Sequence, residues 1–119
     1  LATDPQGRRP DGYRRADHFR DTVYWLQRAR QDGIDVASYN YWSLTDNYEW
    51  GDFDSRFGLY TVDAERDPTL TRHPTDAVAA YREITRDNGV RPGYRPTRMP
   101  VTCSLVAVPD SCANPAVVR

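Results

Sequence analysis

The clearest pattern along the chain is helical and lies between Tyr13 and Asp32. Ala16, Phe19, Val23, Leu26 and Arg30 fall on one face, with Tyr24 and Ala29 at its edges. Arg14, Arg15, Asp17, Asp21 and Arg28 take the remainder. Apolar positions three and four residues apart make an amphipathic surface helix, and Gly33 supplies its C-terminal stop. Residues 1–12 are rich in Pro, Gly and Asp and read as a loop, from which Asp11 can cap the helix.

After Gly33 the period changes. Ile34 to Leu44 is dominated by β-branched and aromatic residues, which predicts a strand buried on at least one face. A helix running directly into a strand is the repeating step of α/β folds. Residues 45–58 read as a polar and aromatic loop, Leu59 to Val62 as a short second strand, and 63–74 as a further loop. Thr75 to Asn88 reads as a second helix. Thr75 stands at its N-cap, Ala77, Tyr81 and Ile84 share a face, and Asn88-Gly89 ends it. From there Pro92, Pro96, Pro100, Pro109 and Pro115 interrupt any regular element, so residues 91–119 read as an extended tail and not as a second domain. No internal repeat is visible.

Composition narrows the function classes. The 119 residues suffice for one small domain or part of a larger one. A net charge of −1 gives no electrostatic case for nucleic acid or an anionic membrane. No apolar run approaches the roughly 18 residues of a membrane span. All 16 basic residues are Arg, and only three of the 17 acids are Glu (Glu49, Glu65, Glu83). A Glu inside the densest aromatic segment is therefore less easily read as filler. His18 and His73 are far apart and share no ligand spacing, so no metal site is expected. Neither a phosphate-binding Gly-rich loop nor a nucleophilic serine motif occurs. Cys103 and Cys112 bracket eight residues and match no zinc pattern. Either they form a disulfide, adding roughly 2.5–3 kcal/mol in the chain-entropy model, or they are two thiols in a tail. A disulfide points to export, and thiols to the cytoplasm.

The informative stretch is 41–50, Tyr-Trp-Ser-Leu-Thr-Asp-Asn-Tyr-Glu-Trp. It gathers two Trp, two Tyr, two acids and an amide at the predicted strand's C-terminal end. Sugars offer C–H faces that stack on aromatic planes and hydroxyls that suit charged acceptors. A Glu flanked by Trp supplies both. Against this, Trp and Tyr beside a strand are commonly core, Asp46-Asn47 is an ordinary turn pair, and a lone loop Glu is commonly solvated.

The full string weighs against the plain reading. Trp42 to Trp50, followed by Arg-Phe-Gly-Leu at 56–59 and Val-Asp at 62–63, resembles the C-terminal signature of glycoside hydrolase family 1, the β-glucosidases, β-galactosidases and their relatives. The helix from Asp11-Gly12-Tyr13-Arg14, the stretch Asp32 to Val36 and the helix Thr75 to Gly89 are similar to that family's closing elements. The resemblance covers residues 1–90. It implies an α/β fold, the C-terminal portion of a (β/α)8 TIM barrel, and part of a retaining β-glycosidase that binds a β-glycoside and needs no cofactor. It also implies roles: Trp42 as a floor for the sugar ring, Glu49 as acceptor for hydroxyls of the nonreducing-end sugar, Trp50 as an indole N–H donor, and Phe57 beside the hydroxymethyl group. The peptide bond between Trp42 and Ser43 is expected to be cis. The loop 51–55 is one residue shorter than usual in the family, which bears on where Phe57 sits.

A retaining glycosidase uses two carboxyl groups about 5 Å apart. The family carries them in Asn-Glu-Pro and Thr-Glu-Asn-Gly motifs, and neither occurs here. Glu65 and Glu83 are read as surface charges. Leu1 is expected to follow shortly after the nucleophile's position, so the chain alone is expected to be inactive. The other readings are a non-catalytic carbohydrate-binding remnant and a truncated product that does not fold.

Overall fold

The computed structural model describes residues 3, 9, 11–49, 51–98, 101–102 and 116–117. Helix α1 spans Arg15–Gln31 and helix α2 spans Asp76–Asp87. Strand β1, Tyr60–Thr61, pairs antiparallel with β2, His73–Pro74. Strand β3, Val101–Thr102, pairs antiparallel with β4, Ala116–Val117.

Both helices start and stop close to where the sequence places them, but their ends are made differently. Arg14 occupies the N-cap of α1 without a side-chain bond. Asp11 instead accepts from the Tyr13 N–H at 3.0 Å, closing a turn ahead of the helix. At the other end Gly33, at φ +90°, and Ile34 donate to the carbonyls of Arg30 and Ala29, the paired bonds of a Schellman stop. Thr75 is the N-cap of α2, yet its hydroxyl donates away from the helix, to the Leu59 carbonyl at 2.7 Å. Asn88 then enters the left-handed region and Gly89 closes back on the Ile84 carbonyl.

The helices pack through small and aromatic side chains. Ala16, Phe19, Ala80 and Ile84 form one buried cluster, and Leu59, Ala77 and Val78 a second, with Tyr41 packed against both. Ala77 and Ala80 are wholly buried, which lets α2 approach closely. Phe19 stacks on Tyr81 with ring centroids 5.6 Å apart and meets Tyr41 edge-on at 5.1 Å. Arg20–Glu83 and Arg14–Asp76 join the two helices, so Glu83 is half of an inter-helix ion pair.

The helical pattern misplaced two charges. Arg15 and Asp21 were expected on the outer face, and both are buried. Arg15 donates to the carbonyls of Gly58 and Arg56 and to the Thr3 hydroxyl. Asp21 accepts from the hydroxyls of Tyr13, Tyr94 and Thr97 and from the N–H groups of Thr97 and Arg98. Those last bonds dock residues 94–98 on α1, and Arg98 lies over the Tyr13 ring at 4.2 Å.

The strand predicted over Ile34–Leu44 is a correction. No strand is assigned there, and Ile34, Tyr39, Trp42 and Leu44 are exposed, not buried. A strand exists through its neighbours, and among the described residues none runs beside 34–42. Pairing begins only at the segment's end, where the N–H groups of Leu59 and Tyr60 reach the carbonyls of Ser43 and Leu44. The predicted second strand shrinks to Tyr60–Thr61 and finds its partner inside the expected loop 63–74.

Gly58 sits where these backbones converge. A Cβ there would meet Tyr60 O at 2.4 Å and Asp46 N at 2.5 Å, both main-chain atoms that cannot swing aside. Gly58→Ala is expected to destabilise the chain by about 1–3 kcal/mol, read as a lower urea midpoint.

Acid should also loosen α1. Burial pushes the His18 imidazole down to about 4 from its ordinary 6.5. At Asp21 burial favours the protonated form, but the bonds from Thr97, Tyr94 and Tyr13 outweigh it and hold the carboxyl below 3.8. Both groups bind protons more readily unfolded, so both lend stability that disappears on acidification. The His18 part should fade as pH falls from 6.5 towards 4, and the Asp21 part below 3.8. Thermal melts across that range should fall in two stages, and His18→Gln should flatten the first.

Candidate functional site

Residues 42–58 fold over a buried carboxylate. Asp46 Oδ1 accepts from the Gly58 N–H at 2.8 Å. Its Oδ2 accepts from the Thr61 hydroxyl at 2.6 Å and the Val62 N–H at 3.3 Å. The Arg56 guanidinium lies 3.8 Å from the same oxygen and donates to the Val62 carbonyl at 2.7 Å. These bonds cross-link 46 to 58–62 and fix the base of the loop.

Above that base, the chain from Trp42 to Glu49 is knitted together by side chains. The peptide bond Trp42-Ser43 is cis, as the family resemblance implies. The Ser43 hydroxyl reaches the Thr45 carbonyl at 2.7 Å and Asn47 Oδ1 at 3.1 Å. Asn47 Nδ2 donates to Glu49 Oε1 at 2.8 Å, and Trp42 Nε1 donates to the same oxygen at 2.7 Å. Glu49 and Asp52 exchange main-chain bonds that close the tip. No described residue bonds to Glu49 Oε2.

The four sequence-selected residues fare differently. Trp42 and Glu49 are brought into direct contact, with Trp42 64% exposed. Phe57 lies on the return arm of the loop, half-buried, with its carbonyl accepting from the Tyr41 hydroxyl at 3.2 Å. Burial raises that phenol to about 12, so it stays a donor across the working range of pH. Trp50 lies outside the described residues, as do Cys103 and Cys112. Among the described residues no group of three His, Cys, Asp or Glu is placed to hold a metal ion.

Two residues read as a plain turn pair hold the site together. Asp46 organises the base and Asn47 contacts Glu49. The trace they leave in the sequence is an acid followed ten residues later by Arg56 and then by Gly58.

The model of glycosyl hydrolase family 1 matches residues 4–90 of this chain. A β-galactosidase of Sulfolobus acidocaldarius is 42% identical over 79 residues, 66% of this chain and 16% of that protein. A human cytosolic β-glucosidase is 42% identical over 82 residues, 67% of this chain and 17% of its own length. Among solved structures, the β-glucosidase from Thermotoga maritima in complex with deoxynojirimycin superposes with a TM-score of 0.59 at 29% identity, over 70% of this chain and 20% of that one. The chain thus spans about a sixth of the length of the curated relatives it matches. With the family model covering most of its residues, this chain belongs to glycosyl hydrolase family 1.

Proposed function

We propose that the chain is the C-terminal part of a retaining β-glycosidase, the closing portion of a (β/α)8 barrel, and that residues 42–57 form the wall that holds the nonreducing-end sugar. One observation carries this reading. Glu49 is tethered through Oε1 by Trp42 and Asn47, and its second oxygen takes no bond from any described residue, next to the exposed Trp42.

Such a surface suits a pyranose. A sugar C–H face stacks on the Trp42 ring, and a neighbouring hydroxyl donates to Glu49 Oε2. By the family resemblance, Trp50 would donate its indole N–H to a hydroxyl and Phe57 would sit beside the hydroxymethyl group. Bond cleavage requires two carboxyl groups about 5 Å apart, one attacking the anomeric carbon and one protonating the leaving oxygen. Neither family motif for them is in this sequence, so they come from the remaining barrel. Recognition therefore lies in this segment and chemistry outside it. No metal or organic cofactor enters the reading.

On this division of labour, the purified 119-residue chain should leave an aryl β-glucoside intact in a chromogenic assay. Turnover that copurifies with the chain would contradict it.

A further inference from the structure

We propose that Asn47 is a positioning residue that holds Glu49 in its sugar-accepting orientation. The inference rests on the reading of Glu49 as the hydroxyl acceptor. The terminal torsion of a Glu side chain is broad and roughly two-fold, so an untethered carboxyl on an exposed loop turns freely. Here two donors converge on one oxygen, with Asn47 Nδ2 at 2.8 Å and Trp42 Nε1 at 2.7 Å from Oε1. Turning the carboxyl breaks both bonds, and keeping them leaves Oε2 as the oxygen available to a hydroxyl.

The two donors are not equivalent. Trp42 is exposed and must also offer its face to the ring. Asn47 is fixed from behind. Its Oδ1 lies 3.1 Å from the Ser43 hydroxyl, whose single proton it shares with the nearer Thr45 carbonyl, and its Nδ2 also faces the Tyr48 carbonyl at 3.4 Å. Flipping the amide would set its carbonyl against two acceptors, so the network admits one orientation. Ser43, Asn47, Glu49 and Trp42 thereby form one chain of hydrogen bonds. It starts at Ser43, beside the cis peptide, and ends at Glu49 Oε1. Asn47 touches no sugar in this arrangement and acts through Glu49.

The test is a 15N NMR titration of the full chain with methyl β-D-glucopyranoside, comparing wild type, Glu49→Ala, Asn47→Ala and Asn47→Asp. The Asp variant keeps the shape and the acceptor for Ser43 but removes the donor. Both Asn47 variants should weaken binding by about 3- to 10-fold, the penalty for ordering a side chain that the native loop holds ready. They should shift the Trp42 indole N–H signal and leave the Gly58 and Val62 amides, which are anchored on Asp46, in place. Wild-type affinity in both Asn47 variants, with Glu49→Ala weakened, would overturn the positioning role and leave the reading of Glu49 standing. Movement of the Gly58 and Val62 amides along with the affinity would also overturn it, by showing general loop damage. Binding unaffected by Glu49→Ala, or no binding by wild type, would overturn the reading of Glu49 itself.

Discussion

Replacing Asp46 by alanine is expected to lower the stability of the chain by about 3–5 kcal/mol, the usual cost of removing one partner from a buried ion pair. The Asp46 side chain is 1% exposed, and three donors point at it, from Gly58, Thr61 and Val62. It also lies 3.8 Å from the guanidinium of Arg56, a residue only 6% exposed. Truncation would leave Arg56 buried without its counter-charge and orphan two main-chain N–H groups. Whole domains are stable by only about 5–15 kcal/mol, so a short chain should lose most of its cooperative melt. Asp46→Asn should cost less. It keeps one acceptor for Gly58, but sets an amide N–H₂ against the Val62 N–H. Circular dichroism melts of both variants check the order Ala worse than Asn.

The second large effect is expected at Glu49, and it falls on catalysis more than on stability. Its bonds lie on an exposed loop tip, where loss of a carboxylate does little to the fold. A hydrogen bond to a charged group is worth about 1.5–3 kcal/mol. On the proposed reading, losing the one such bond from a sugar hydroxyl to Oε2 corresponds to a fall of roughly 10- to 100-fold in kcat/KM of the assembled barrel. Glu49→Ala also strips the partner from the Trp42 indole N–H and the Asn47 amide, which leaves the stacking face loose.

How far these features could be read from the sequence depends on the range of the interactions behind them. The helices were legible because their signals are local: a spacing of three and four residues, then Gly33 or Asn88-Gly89 to stop them. The burial of Arg15 and Asp21 was not. Their partners at Gly58 and Thr97 lie 43 and 76 residues away, and periodicity alone assigns any charge to the outside. Ile34–Leu44 failed for a related reason. Its β-branched and aromatic residues report an environment that flanking strands would create, and pairing among the described residues starts only at Ser43. Within the site, Trp42 and Glu49 stood out because aromatic rings around a rare Glu are a compositional signal. Asn47 and Asp46 did not, because an Asp-Asn pair looks the same whether it closes a turn or anchors one.

The central claim is that this chain grips the sugar while the rest of a family 1 barrel breaks the bond. The most direct measurement places residues 4–90 in the matching position of the Thermotoga maritima β-glucosidase, which then supplies the two carboxyl groups. Hydrolysis of an aryl β-glucoside by that hybrid is compared with and without Glu49→Ala. The account predicts an active hybrid whose kcat/KM falls by roughly 10- to 100-fold in the variant, with the same thermal midpoint. An active hybrid indifferent to the loss of Glu49 would contradict it.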